Sequence, residues 1–305
     1  TGKPKSIWLS NTMWAYEWGY VYGLLSTIGV THKHSRISFR GVRRSSSVRE
    51  TYNFNPLYNE YRYSPFDLNE TRKYEVETLF ATAGESWVHL YPSTLRFLFQ
   101  IFGSKLAQVM KHVKGILLVS ENVDSEEIKM WYSDLSIPIL TFYGASERVC
   151  FAPLLDLSEG LRYVPLQTYG ITEYVDNEIV ATGLLNDAMP LIRYRTGDSA
   201  DCDVQGRFGK NTNFVSITGN HDGSFLLGKN GERITQTALN THDPKFKQFG
   251  RFQFSQKQQG SAVISIEKGK GMTKSDLEYI LKTFQDKCGP GLSLDAYFVD
   301  QIPLT

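Results

Sequence analysis

The chain has 305 residues, of which 41% are hydrophobic and 21% are charged, a balance typical of an ordinary globular protein with one or two cores. Its 33 Lys and Arg residues nearly cancel its 32 Asp and Glu residues, so no net charge draws it to nucleic acid or to an anionic membrane surface. We therefore expect no nucleic-acid partner, and any recognition of phosphate has to be local.

The cysteines and the apolar runs indicate the compartment. Cys150, Cys202 and Cys288 are far apart and form no C-x-x-C pair, which argues against a disulfide framework and a clustered zinc site and fits a reducing cytoplasm. Apolar runs such as residues 115–119 are far shorter than the ~20 residues that a membrane span requires. We expect a cytoplasmic protein with no membrane span.

The first half of the chain alternates between strand and helix patterns. The predicted elements are a strand at 6–9, a helix at 12–28 capped by Ser10 or Asn11, an extended segment at 87–91, a helix from Pro92 with an apolar stripe reaching Val113, a strand at 116–119, a helix at 125–135 and a strand at 138–142. This alternation predicts a largely parallel sheet with helical crossovers.

The second half is richer in strands. Beyond Tyr143 the predicted elements are strands at 161–164, 170–175 and 178–182, an interruption typical of a linker at 218–223, a hairpin of 225–227 and 232–234 around an Asn-Gly turn, strands at 252–255 and 262–267, a helix at 273–284 with a capping box of Thr273 and Asp276, and a last strand at 296–299. These patterns predict a β-rich subdomain and then a small α/β domain.

Four short segments have residue types that suit phosphate or nucleotide chemistry, and each has an ordinary structural alternative. Residues 1–5, TGKPK, combine a glycine turn with lysine, or are a plain basic tail; Pro4 after Lys3 excludes a Walker loop. Residues 219–222, GNHD, are a linker or a hinge.

The segment 141–147, TFYGASE, stands where a parallel strand should end, the edge at which open α/β sheets bind ligands. Tyr143 could stack on a base, Ser146 could donate to a phosphate and Glu147 could hold Mg²⁺; the alternative is a polar junction with an N-capping serine. In 193–198, RYRTGD, Asp198 could accept hydrogen bonds from both hydroxyls of a ribose, or could form a hydrogen bond with its own backbone in a β-turn.

The order of these segments is more specific than any one of them. TGKPK, YGASE, IVATGL closely followed by PLIRYRTGD, and ITGNHDG resemble the adenylate-forming superfamily of acyl-CoA synthetases, peptide-synthetase adenylation domains and luciferases. Within it the chain looks most like the phenylacetate-CoA ligase and capsular-polysaccharide (CapK) branch. The resemblance covers nearly the whole chain.

The resemblance implies an α/β fold with an incomplete adenylating large domain at 1–218, mostly parallel sheets with helices plus a β-rich subdomain. A hinge at 219–223 and a small α+β C-terminal domain at 224–305 would follow. It also implies a fragment, cut inside the phosphate loop at one end and before the lysine that assists adenylation at the other.

The implied reaction joins a carboxylic acid to ATP and passes the acyl group to a thiol of coenzyme A or of a carrier. By resemblance, Thr1, Gly2 and Lys3 belong to the pyrophosphate-side loop. The residues implied to contact the nucleotide are Tyr143 at the adenine, Gly144 beside it, Ser146 at the α-phosphate and Asp198 at the ribose. Glu147 would ligate Mg²⁺, the catalytic set would be Glu147, Ser146 and Lys3, and Asp222 would be the hinge residue.

Other features leave the function open. Asn220 stands where the family commonly has arginine, so transfer to a non-CoA acceptor and a catalytically weakened nucleotide-binding protein are both retained as alternatives. Residues 32–36 with Arg40, Arg43 and Arg44 could bind the phosphates of coenzyme A or form a solvated face. His89 could line an acyl pocket or pack in a core, and Cys150 is expected to be buried.

Overall fold

The computed structural model describes residues 6–39, 52–157, 160–202, 213–218, 225–235, 239, 251–269 and 271–302. Within them the α-helices are α1 (Met13–Ser26), α2 (Lys73–Ala83), α3 (Pro92–Phe102), α4 (Leu106–Val109), α5 (Ser125–Leu135) and α6 (Lys274–Cys288).

The strands of the large sheet are β1 (Ser35–Phe39), β2 (Tyr52–Asn55), β3 (Glu60–Tyr63), β4 (Ser86–Leu90), β5 (Val113–Leu118), β6 (Ile139–Gly144), β7 (Phe151–Leu157), β8 (Gly160–Tyr163), β9 (Gly170–Val175), β10 (Glu178–Gly183), β11 (Tyr194–Cys202) and β12 (Phe214–Thr218). The C-terminal strands are β13 (Phe225–Leu227), β14 (Arg233–Thr235), β15 (Phe252–Gln258), β16 (Ser261–Glu267) and β17 (Ser293–Val299).

The large sheet is mixed and has the order β2-β3-β1-β4-β5-β6-β7-β8-β12-β11-β10-β9. Strands β3, β1, β4, β5 and β6 pair in parallel, whereas the pairs from β6 to β9 are antiparallel. The predicted combination of a parallel α/β region and a β-rich region is confirmed, and β6 is the strand at which one changes into the other.

The parallel strands separate two hydrophobic cores, because successive side chains along a strand point to opposite faces of the sheet. Ile37 and Val88 pack with α2, α3 and α5 on one face. Trp87 and Leu117 pack against α1 on the other face. A separate core lies among the C-terminal elements, where α6 packs on the sheet of β15, β16 and β17.

Several local predictions are confirmed. Helix α5 has the predicted bounds, and α1 and the start of α3 lie where expected. The Asn-Gly turn joins β13 to β14. Thr273 and Asp276 form the capping box of α6, with the backbone N–H of Thr273 donating to Asp276 Oδ2 at 2.9 Å.

The strand predicted at 6–9 is wrong. Asn186, which is buried, takes up the polar backbone groups of this segment: its side chain accepts from the N–H of Ser10 at 3.0 Å and donates to the carbonyl of Trp8 at 2.8 Å. The cap predicted at Ser10 or Asn11 is also wrong, because Thr12 is the N-cap of α1 and makes no side-chain capping bond.

The helix predicted to continue to Val113 ends at Phe102. Gly103 follows with φ of +54°, a conformation that ends a helix and that glycine adopts at little cost. Val113 then begins β5. The residues of the predicted apolar stripe therefore belong to three elements: α3, the short helix α4 and the first residue of β5.

The hinge predicted at 219–223 and residue 224, where the small domain is predicted to begin, lie outside the described residues. The prediction of a hinge there therefore stays a prediction. Within the described ranges of the chain, no helix has both the length and the apolar character that a membrane crossing requires.

Gly170, the first residue of β9, allows a test of stability. At this residue β9 lies close to the segment that follows β6. A Cβ at Gly170 would lie 2.0 Å from the carbonyl oxygen of Val149, whereas one at Gly23 in α1 would meet nothing within 4 Å. We expect Gly170→Ala to lower the free energy of unfolding by about 3 kcal/mol. Gly23→Ala, the control, should raise it by up to about 1 kcal/mol. Urea unfolding measures both, and equal effects would contradict this close contact.

Candidate functional site

Two segments singled out from the sequence lie together at the carboxyl end of β6. Along the sheet β11 is four strand spacings away from β6, about 19 Å in a flat sheet. Yet the hydroxyl of Tyr143 in β6 donates to Asp198 Oδ2 in β11 at 2.8 Å. The antiparallel region of the sheet must therefore curl back, around a core that includes Val149, Ile179 and Phe214.

The Tyr143–Asp198 hydrogen bond joins an aromatic ring to a carboxylate at the end of a strand. Burial, and then the neighbouring Asp198, raise the pKa of Tyr143 well above its ordinary value of 10.0. Its hydroxyl therefore stays protonated and remains a donor at neutral pH. A planar ring beside a carboxylate suits the two halves of a nucleoside, a base that stacks and a ribose that donates hydroxyls.

The second link holds Glu147. The hydroxyl of Tyr194, the first residue of β11, donates to Glu147 Oε1 at 2.6 Å. Glu147 and Ser146 are the central residues of a turn in which the N–H of Arg148 donates to the carbonyl of Ala145 at 3.0 Å. Ser146 is exposed and Glu147 is partly buried, and the turn directly follows β6, the strand of Tyr143.

Two side chains of β11 face β6 and the turn after it. Tyr194 and Asp198 point to the side of β6, while Arg195 points away and pairs with Glu178 at 2.6 Å. Gly197 has φ of +81° at a register irregularity between β10 and β11, a β-bulge that only a residue such as glycine enters easily. Its N–H donates to Glu178 Oε1 at 2.7 Å.

The simple β-turn considered for Asp198 is wrong, because Asp198 lies within β11. The carboxylate faces Tyr143, and the backbone N–H of Asp198 donates to the hydroxyl oxygen of Thr196 at 3.1 Å. Gly144 ends β6 and is exposed, and a Cβ there would lie 3.2 Å from the ring of Phe142.

The structure thus brings the YGASE and RTGD segments together through Tyr143, Glu147 and Asp198, and it places Ser146 next to Glu147 in an exposed turn. Tyr194 was missed, although it lies in the quoted RYRTGD segment. Its only signal was its place in that segment, four residues before Asp198. Thr1, Gly2, Lys3, Asn220 and Asp222 lie outside the described residues, so their implied roles stay predictions.

Arg36, in the basic stretch after α1, is buried. At this residue the stretch is neither a solvated face nor a surface for the phosphates of coenzyme A. The Arg36 guanidinium pairs with Glu60 at 3.0 Å and lies 4.6 Å from the ring centre of Trp18. Burial alone would raise the pKa of Glu60, but the charge of Arg36 and the hydrogen bond from Arg62 lower it overall. Arg36 is therefore engaged inside the protein, and Arg40, Arg43 and Arg44 lie outside the described residues.

His89 and Cys150 are both buried. His89 stacks on Trp87, with ring centres 5.9 Å apart, and meets Trp18 edge-on, so it packs among aromatic rings. The burial of Cys150 confirms the prediction, and this burial raises the pKa of its thiol from 9.0 to about 12.

Glu147 is the residue that suits a metal. Among the described residues, no group of three or more His, Cys, Asp or Glu side chains could hold a metal ion. Mg²⁺, however, is commonly bound by one or two carboxylates together with phosphate oxygens of a substrate. A single oriented carboxylate such as Glu147 fits a magnesium ion that binds with a nucleotide and does not fit a zinc or calcium cage.

Comparison with known proteins relates this arrangement to a known fold. No protein-family model and no curated protein sequence matches the chain. Among solved structures, 2-hydroxyisobutyryl-CoA ligase in complex with 2-HIB-AMP and CoA in the thioesterification state is similar, with a TM-score of 0.51 and 14% identity over 100% of this chain and 70% of that chain.

Two further structures match less well. One is a malonyl-CoA ligase ternary product complex with methylmalonyl-CoA and AMP bound, with a TM-score of 0.49 and 13% identity over 100% of this chain and 70% of that chain. The other is the amide bond synthetase McbA from Marinactinospora thermotolerans, with a TM-score of 0.45 and 13% identity over 99% of this chain and 64% of that chain. The match to the 2-hydroxyisobutyryl-CoA ligase shows that this chain has the mixed α/β fold of that ligase, with a large mixed sheet and a smaller C-terminal sheet.

Removal of the Tyr143 hydroxyl tests the central hydrogen bond of the site. We expect Tyr143→Phe to lower the free energy of unfolding by about 2 kcal/mol, since a partly buried hydrogen bond to a charged group is lost. Tyr174→Phe is the control, because its hydroxyl bonds Asn177 at the exposed surface, and its effect should stay within about 0.5 kcal/mol. Chemical unfolding of both variants measures the difference; two equally small effects would contradict the Tyr143–Asp198 contact.

The raised pKa of Tyr143 predicts a pH dependence of the same quantity. Above pH 10 the unfolded chain loses the phenolic proton while the folded protein keeps it, so the stability that Tyr143 contributes is fully present below pH 10 and is lost as the pH rises. The free energy of unfolding of the wild type exceeds that of Tyr143→Phe, and at about pH 11 this difference should be smaller than at neutral pH by about 1.4 kcal/mol. Chemical unfolding of both proteins at neutral pH and at about pH 11 measures the change. A difference that stays constant or grows would show that the hydroxyl ionises normally.

Proposed function

We propose that this protein is an ATP-dependent ligase that adenylates a carboxylic acid and transfers the acyl group to a thiol of coenzyme A or of a carrier. Within the adenylate-forming superfamily, its motifs favour the branch of phenylacetate-CoA ligase and CapK. In this proposal residues 1–218 form the adenylating domain, 219–223 the hinge and 224–305 the small domain.

The observation that supports the proposal most is the convergence of the two motif segments. Tyr143 and Glu147 in one segment bond Asp198 and Tyr194 in the other, at 2.8 and 2.6 Å. Two hydrogen bonds between the same two segments therefore hold, at the end of a parallel strand, an aromatic ring, a carboxylate that could bind ribose and a carboxylate that could bind a metal ion. Open α/β sheets bind ligands at such ends, and the fold is that of a CoA ligase.

In the proposed reaction the carboxylate oxygen of the acid forms a bond to the α-phosphorus of ATP, and pyrophosphate leaves. A thiol then forms the thioester with the acyl carbon, and AMP leaves. The protein contributes mainly position and charge, as in phosphoryl transfer generally. Asp198 and Tyr143 would hold the nucleoside, Gly144 would leave room beside it, and Ser146 would donate to the α-phosphate.

The negative charge on the phosphates needs cations close by. We propose that Glu147 would hold Mg²⁺, which when bound neutralises charge on phosphate oxygens. Tyr194 keeps the Glu147 carboxylate at one rotamer through its hydrogen bond. Lys3, with Thr1 and Gly2, would lie on the pyrophosphate side, and Asp222 would allow the small domain to turn between the two half-reactions.

The acceptor and the level of activity are separate questions. Asn220, in place of the arginine common in the family, favours keeping two alternatives: transfer to a non-CoA acceptor in capsule or secondary-metabolite biosynthesis, and a nucleotide-binding protein with weakened catalysis. Release of AMP with and without coenzyme A separates thiol transfer from the first. Nucleotide binding without pyrophosphate exchange over a broad panel of acids would indicate the second.

Substitution of Asp198 tests the proposed nucleotide site. In exchange of labelled pyrophosphate into ATP, with Mg²⁺ and an acid substrate found by screening, Asp198→Asn should raise the KM for ATP about tenfold to hundredfold, since hydrogen bonds to a charged group are lost. Asp201→Asn is a matched control on the same strand, because Asp201 is exposed and accepts from the hydroxyl of Ser216 at 2.6 Å, away from Tyr143. It should leave the KM within about twofold.

The opposite result has a clear meaning. If Asp198→Asn binds ATP as the wild type does, Asp198 does not contact the nucleotide and the site is wrong. If the wild-type protein neither binds ATP nor exchanges pyrophosphate with any acid, the proposed reaction is wrong.

A further inference from the structure

The turn that carries Ser146 and Glu147 has an unfavourable backbone conformation at its end. Arg148, its last residue, has φ of +59°, in the left-handed region that residues with a Cβ enter at a cost in free energy. The hydrogen bond from the Arg148 N–H to the Ala145 carbonyl, at 3.0 Å, is weakly restraining by itself. Contacts from the rest of the protein must therefore hold this conformation.

The side chain of Arg148 supplies the first of these contacts. Its Nη1 donates to Oε1 of Glu17, a buried residue in the middle of α1. The other oxygen, Oε2, accepts from the hydroxyl of Tyr169, which lies in the turn before β9. One carboxylate thus joins a helix, the proposed active-site turn and the antiparallel region of the sheet.

The Tyr169 donor of this cluster is constant over the physiological pH range, and Arg148 has a second contact. Burial and the neighbouring Glu17 raise the pKa of Tyr169 far above its ordinary value of 10.0, so its hydroxyl keeps its proton. The Arg148 guanidinium also covers the ring of Trp14 at 5.1 Å from the ring centre. The Arg148 side chain therefore contacts both Glu17 and Trp14.

Backbone contacts hold the residues just beyond the turn. A Cβ at Gly170 would lie 2.0 Å from the carbonyl oxygen of Val149, and one at Gly183 would lie 3.3 Å from the carbonyl oxygen of Arg148. Strands β9 and β10 thus approach the backbone of Arg148 and Val149 closely. The turn has little freedom to shift as long as the Arg148 side chain stays in place.

We propose that Arg148, Glu17 and Tyr169 are positioning residues for Glu147 and Ser146. They hold the left-handed end of the turn, and Tyr194 holds the Glu147 carboxylate itself. This inference rests on the proposed function, because it assigns the cluster to the metal side of that site. Tyr143 and Asp198, the nucleoside side, are held by β6 and β11 and do not depend on the cluster.

The chain contains a matched ion pair remote from the motif segments. Arg96 of α3 bonds Glu127 of α5 through two hydrogen bonds of 2.6 Å, and it covers Trp131 at 5.7 Å as Arg148 covers Trp14. The exposed fractions of the side chains are similar, 28% and 21% for Arg96 and Glu127 against 20% and 11% for Arg148 and Glu17. Arg96→Gln therefore controls for the loss of a half-buried arginine.

The experiment compares two quantities in wild type, Arg148→Gln, Tyr169→Phe and Arg96→Gln. The first is the Mg²⁺ concentration that gives half the maximal rate of pyrophosphate exchange, and the second is the affinity for AMP in the absence of metal. We expect Arg148→Gln to raise the Mg²⁺ requirement about tenfold or more and Tyr169→Phe to raise it less. Both should leave the AMP affinity within about twofold, and Arg96→Gln should change neither quantity by more than that.

A conservative variant and a milder one keep the test decisive. Arg148→Lys retains the charge and should restore some of the Mg²⁺ dependence, while Tyr169→Phe removes a single oxygen and reports on the cluster even if Arg148→Gln does not fold. A wild-type Mg²⁺ requirement in folded Arg148→Gln, or in Tyr169→Phe if Arg148→Gln does not fold, would overturn the inference, and so would equal losses of Mg²⁺ and AMP binding. A wild-type protein without Mg²⁺-dependent exchange would overturn the proposed function, and the positioning role with it.

Discussion

The curl of the antiparallel sheet behind β6 is the constraint on which the site depends. It brings residues 143–148 and 194–198, which are about fifty positions apart in the chain, into hydrogen-bonding contact. The curl requires backbones to come very close, and the chain meets this requirement with Gly170 and Gly183, where a Cβ would contact the backbone of residues 148 and 149. A side chain at Gly170 would push β9 away from this segment, and the motif residues would separate with it.

Tyrosine hydroxyls are the recurring partners of the carboxylates in this region. Tyr143 donates to Asp198, Tyr194 to Glu147 and Tyr169 to Glu17. A tyrosine buries a rigid apolar ring and fixes a carboxylate by one donor without adding a positive charge. Asp198 and Glu147 are thus oriented by neutral donors, which suits their proposed roles in binding ribose hydroxyls and a cation. The outward-facing Glu178 pairs with Arg195 and so has its charge compensated.

The similarity to 2-hydroxyisobutyryl-CoA ligase, at 14% identity, concerns the fold. A common fold supports many reactions, so the proposed chemistry depends on the side-chain network at the end of β6. Three groups of residues serve that network in different ways. Glu147 and Asp198 would contact ligands, Tyr143 and Tyr194 orient these carboxylates, and Arg148 with Glu17 holds the turn itself.

Local patterns in the sequence were sufficient for α5, the Asn-Gly hairpin, the capping box of α6 and the change from a parallel to a β-rich region, because periodicity and turn chemistry act over a few neighbouring residues. They were also sufficient to choose Tyr143, Ser146, Glu147 and Asp198 as candidates. They failed at 6–9, where Asn186 takes the backbone hydrogen bonds from far along the chain, and at Arg36, whose burial depends on Glu60 and Trp18. The contact between the two motif segments, the role of Tyr194 and the Arg148–Glu17–Tyr169 cluster were decided only by the tertiary structure. Each of them joins residues that are distant in sequence, and curling of the sheet is what makes them neighbours.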